Sequence, residues 1–77
     1  MAVDYSTILS DTEKAGILKD RIKQFAVAAW QHDLNAQAFT LEGDIEGAEA
    51  QASQVVILDE RIKFHQAELA KLPTEEV

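Results

Sequence analysis

The chain has no cysteine, a single proline and three glycines among 77 residues, and aromatic side chains make up only 6%. Without cysteine there is no disulfide framework, no thiolate nucleophile and no cysteine-based metal site. Basic side chains are also scarce, 7 against 14 acidic ones, for a formal net charge of -7. A chain so acidic cannot neutralise phosphates by bulk charge, so nucleic acid is not expected as a partner. The longest apolar run is Phe25-Ala26-Val27-Ala28-Ala29-Trp30. It is far below the roughly 20 residues a bilayer span needs, so no membrane partner is expected. The start, Met1-Ala2-Val3-Asp4-Tyr5, has neither a basic leader nor a long apolar stretch. The expected location is cytoplasmic, or soluble within an assembly, and not secreted. Ser6, Ser10 and Ser53 have no histidine and carboxylate arranged with them as a triad. No Gly-rich phosphate loop follows a strand. The chain therefore reads as a non-enzyme with no cofactor, no metal and no small-molecule substrate.

What is present is helical. The hydrophobic share, 47%, is too high for a disordered tail. Alanine, leucine, glutamate, lysine and glutamine dominate, and Pro73 stands near the end. Ala15, Leu18, Ile22, Phe25, Ala29, His32, Ala36 and Phe39 recur at alternating steps of three and four, the spacing of a heptad seam. A second stripe runs through Leu41, Ile45, Ala48, Ala52, Val55, Leu58, Ile62, His65, Leu69 and Leu72, with one irregular step near Val55. Continuing the first stripe past Phe39 runs onto Gly43, Glu46, Ser53 and Glu60, so the phase breaks there. Gly43 suits the residue after a helix and Asp44 suits an N-cap.

The expected fold is all-α: an antiparallel helical hairpin of two long amphipathic helices with a coiled-coil-like seam, assembling into a bundle or larger oligomer. Its parts are an arm or short helical turn over 1–10, helix one over 11–40, a turn over 41–44, helix two over 45–72 and a mobile tail over 73–77. Ser10-Asp11-Thr12-Glu13 is a capping box for the first helix. The alternative is one continuous helix of ~60 residues, roughly 90 Å long. The seam candidates are Leu18, Ile22, Phe25, Phe39, Ile45, Val55, Leu58, Ile62 and Leu69. Residues 17–23 echo residues 57–63, and a hairpin turning near Glu42 lays the two segments side by side. Arg21 would then reach Asp59 and Glu60, and Arg61 would reach Asp20.

Several apolar residues fall off the seam. Val27, Leu34 and Leu41 lie opposite it, with Ile17, Trp30 and Ala38 beside them. Ala50, Val56, Ile57 and Phe64 do the same in the second helix. A helix that is apolar on two faces is buried on two faces, and one hairpin covers only one. Ile17, Val27, Trp30, Leu34, Ile57 and Phe64 are thus candidates for a homo-oligomer or protein-partner interface.

Charge is segregated as well. All bases lie between Lys14 and Lys23 or between Arg61 and Lys71. The turn carries a candidate acidic patch of Glu42, Asp44, Glu46 and Glu49. Part of it complements the dipole of the second helix. His32 and His65 both replace apolar residues on the seam, roughly 20 Å apart in a hairpin, too far to share an ion. They mark a seam sensitive to pH, since acid would charge a packed imidazole.

The functional expectation is a structural or interaction module that self-associates or docks on a larger assembly through its outer apolar residues. Small acidic hairpins of this kind occur among accessory parts of large assemblies, virus particles included. The alternative is an acidic inhibitor that occupies a basic site on a nucleic-acid-binding partner.

Overall fold

The computed structural model describes residues 3–73. A single 3-10 turn, Tyr5–Thr7, precedes two α-helices, α1 (Asp11–Leu41) and α2 (Ile45–Lys71). The helices run antiparallel and pack along each other. Strands are absent among the described residues. The chain is an all-helical hairpin, and the continuous long helix is not what forms. The tail positions 74–77 lie outside the described residues.

Local chemistry fixes both ends of α1. The Glu13 amide donates to Ser10 Oγ at 3.0 Å, and the Ser10 amide donates to Glu13 Oε1 at 2.8 Å. That reciprocal pair satisfies two donors the helix cannot satisfy itself. At the far end the chain reverses in three residues. The Asp44 amide donates to the Phe39 carbonyl at 2.8 Å and the Gly43 amide to the Thr40 carbonyl at 3.1 Å. This is a Schellman termination, and it requires Gly43 at φ 82°, where a Cβ would be strained. Asp44 then caps α2 by accepting from the Gly47 amide at 2.9 Å. The approach is close: a Cβ on residue 47 would stand 2.6 Å from Asp44 Oδ2.

The core is thin. Only Ala29 (8% exposed) and Leu58 (7%) are buried among the described residues. Leu18, Ile22, Phe25, Phe39, Val55, Ile62 and Leu69 are half-buried along the seam. Ile45 departs from its expected seam position and is 59% exposed, because it opens α2 beside the turn, before the helices have closed on each other. The seam residue between Ala48 and Val55 is Gln51 rather than Ala52, which is exposed. That choice restores alternating steps of three and four and removes the irregularity near Val55.

The molecule is a rod. Its radius of gyration is 17.0 Å, whereas a compact domain of this length has about 11 Å. Its accessible surface is 5996 Å², against about 4,700 Å² for a compact monomer of its mass.

Two glycine substitutions test this account of the turn. Gly43→Ala places a side chain at positive φ and lowers stability by about 1–2 kcal/mol. Gly16→Ala, where a Cβ meets nothing within 4 Å on the exposed side of α1, raises it by up to about 1 kcal/mol. Urea titration of both variants measures the difference. Equal effects would show that the turn geometry is not what limits residue 43.

Candidate interaction surface

The seam is partly polar, and its polar contacts set the register between the helices. His32 Nδ1 and Gln51 Oε1 lie 2.6 Å apart, with the ring nitrogen as donor, and Asn35 Nδ2 donates to the same oxygen at 3.4 Å. Further from the turn, Arg21 Nε donates to His65 Nε2 at 3.1 Å. His65 Nδ1 in turn donates to the Arg61 carbonyl at 2.7 Å. In this arrangement Nε2 accepts and Nδ1 donates. The His65 ring also packs edge-on against Phe25 (5.0 Å between centroids) and Phe64 (5.4 Å). The guanidinium groups of Arg21 and Arg61 sit 5.7 and 6.0 Å from the Phe25 ring centre. These partners pair residues whose numbers sum to between 83 and 90, the register of a hairpin that turns at 42–44.

The expected ion pairs of Arg21 and Arg61 with Asp59, Glu60 and Asp20 do not form. The two arginines are drawn instead to an aromatic ring and an imidazole, which offer contact area as well as charge stabilisation. Two ion pairs, Lys63–Glu60 at 3.8 Å and Lys71–Glu68 at 2.8 Å, lie within α2 at its surface. Such pairs contribute only about 0–1 kcal/mol. Among the described residues no three His, Asp or Glu side chains come together to hold a metal ion.

The outer apolar residues are all exposed: Ile17, Val27, Trp30 (64%), Leu34, Ile57 and Phe64 (61%). They do not form one stripe. One residue step turns a helix by about 100°. Ile17, Ile57 and Phe64 each precede a seam residue, whereas Trp30 and Val56 each follow one. The two groups therefore flank the seam on opposite sides. Ile17 and Phe64 share one broad face of the hairpin, where with Tyr5, Leu9, Arg21 and Leu72 they line an open groove of about 450 Å³. Trp30 and Val56 lie on the other broad face. Val27, Leu34 and Leu41 form the outer edge of α1, and Leu41 is 89% exposed.

Some surface residues were not legible from periodicity. Val3, Tyr5 and Ile8 add exposed apolar area at the arm, and no repeat covers so short a segment. Gln51 was hidden because a glutamine does not stand out as a seam residue.

The acids at the turn differ in role. Glu42, Asp44, Glu46 and Glu49 are all exposed. Asp44 is engaged as the cap of α2, and Glu46 stands in its first turn, where negative charge is favourable. Glu42 is the C-cap of α1, at the end where the helix dipole disfavours an acid. Residues 26–58 hold five acids and no lysine or arginine, and the rest of the chain holds nine acids and all seven bases.

No helix among the described residues is long and apolar enough to cross a membrane. The geometry defines a two-helix hairpin with a partly polar seam and three separate exposed apolar zones. No family profile, curated protein or solved structure matches the chain.

The polar seam can be tested by a double-mutant cycle on His32→Leu and Gln51→Leu. Each single variant costs stability by stranding a polar partner, by about 1 kcal/mol. The double variant recovers most of that loss, for a coupling of about 0.5–1.5 kcal/mol in urea titrations. Simple additivity would show that the 2.6 Å contact carries no net coupling.

Proposed function

We propose that the hairpin is a non-enzymatic structural or interaction module that associates, with itself or with a protein partner, through apolar residues outside its seam. One observation carries the reading. Among the described residues only Ala29 and Leu58 are buried, while Trp30, Phe64 and ten other large apolar side chains are exposed. The excess over a compact monomer's surface is on the order of 1,000 Å², more than the ~800 Å² that each partner loses in an interface of standard size. A lone hairpin gains little by ordering so long a rod around so thin a core. Association supplies the missing second layer.

The acidic turn favours this reading over an inhibitor that copies a phosphate backbone. Two of its four acids already serve the start of α2, and mimicry needs carboxylates spread along an extended face.

Light scattering tests the proposal. The expected particle mass is a multiple of 8.5 kDa at tens of micromolar. Trp30→Glu reduces that mass while circular dichroism retains most of the helix. A well-folded wild-type chain that stays at the monomer mass would overturn self-association.

A further inference from the structure

We propose that the Trp30 and Val56 face pairs with the same face of a second copy in antiparallel orientation, forming a four-helix bundle. This rests on the reading that the outer apolar residues are association surfaces, and it names the partner and its direction.

The argument begins with what this face carries. On the rows that follow the seam residues, the half near the termini holds Lys19 and Lys23 on α1 and Lys63, with Asp59, on α2. The half near the turn holds Asp33 on α1 and Glu49 on α2. All six are exposed. Their present partners are slight: Asp33 accepts from Gln37 within its own helix, and Lys63 reaches Glu60 at 3.8 Å. Trp30 and Val56 sit between the two charged zones.

A two-fold axis across the rod lays α1 on α1 of the second copy and α2 on its α2, each antiparallel to its counterpart. Suppose Lys23 meets Asp33 of the second copy. The centre of symmetry on α1 then falls at position 28. Suppose Lys63 meets Glu49. The centre on α2 falls at position 56. Positions 28 and 56 sum to 84, which lies within the range of the hairpin's own cross-seam pairs, His32 with Gln51 and Arg21 with His65. The two charge pairings therefore demand the same placement of one rigid hairpin on another, although nothing in either pairing requires it. That placement also sets Trp30 over Ala26 and Val56 over Val56. A large ring over a small side chain on α1 is what lets two helix layers approach.

The parallel arrangement fails on charge. It lays α1 on α2 of the second copy, so that Lys23 faces Lys63 and Asp33 faces Glu49. It also brings together two turn halves that each hold five acids and no lysine or arginine. Like charges facing each other across an interface are repulsive. The opposite broad face has no such complement: its rows carry Lys14, Arg21, Arg61, Glu68 and Lys71 near the termini and no acid near the turn.

The chain has no cysteine, so Glu42→Cys places a single spin label at the turn. In the antiparallel dimer residue 42 lies 14 positions from the centre in each copy, so the labels stand about 40 Å apart. In a parallel dimer they fall within about 20 Å, two helix spacings. K23E/K63E should weaken the dimer about tenfold, and adding D33K/E49K to the same chain should restore it. In a parallel dimer neither change alters affinity, because like faces like before and after. A dimer with the short distance, or one indifferent to K23E/K63E, overturns the antiparallel pairing and leaves association through the outer residues standing. A monomer at every concentration overturns the antiparallel pairing and, with it, self-association through the outer residues.

Discussion

Two helices share one seam, and a side chain off that seam has no place in this chain to be buried. Most other features follow from that constraint. The seam runs the length of α1 and α2, yet it is a single line of contact, and only Ala29 and Leu58 near its middle are closed over by neighbours on both sides. Ile22, Phe25, Val55 and Ile62 are covered on the inner side and open at the flanks. The hydrophobic contribution to stability scales with area removed from water. A hairpin that covers so little leaves much of its apolar composition unused within one chain. Large apolar side chains therefore stand on the surface along both helices.

Polar groups on the seam give direction at the expense of area. His32, Gln51, Arg21 and His65 are not the residues that would maximise apolar burial. They are the ones with directional bonds, and a helix slid by one turn would break them. Seams built only from leucine and alanine permit such slips. Here the Schellman turn at Gly43 and the cap at Asp44 anchor one end of the register, and the His65 cluster anchors the other. The aromatic packing of His65 between Phe25 and Phe64 joins that register to the exposed groove, because Phe64 belongs to both.

Charge separation follows from the turn. Reversing the chain at 42–44 brings the acid-rich middle of the sequence to one end of the rod and both base-containing segments to the other. Part of the acidity has a local cause in the first turn of α2. Glu42 has none, standing at the dipole's unfavourable end. The turn half carries five acids and no lysine or arginine, and the rest nine acids against seven bases, so like ends brought side by side at the turn repel more strongly than opposite ends do.

Much of the fold was legible without coordinates. The capping box at Ser10 and Glu13, the break after Phe39, Gly43 as the left-handed residue and Asp44 as the N-cap are local features, decided by side chains within four positions of each other. Heptad spacing marked most of the seam for the same reason: periodicity is a property of one helix. The surface was less legible. Which exposed residues share a face depends on how one helix is rotated against the other, and the chain's own numbering does not contain that rotation. Trp30 and Phe64 look equivalent in a list of outer apolar residues and stand on opposite faces of the hairpin. Gln51 takes the seam position in place of the more apolar Ala52, and there it hydrogen-bonds His32 across the helices. Arg21 and Arg61 turned from acids to the Phe25 ring because the ring was brought within reach only by packing. Local chemistry wrote the two helices and the turn, and the side-by-side contact of the helices decided which of their remaining side chains face outward together.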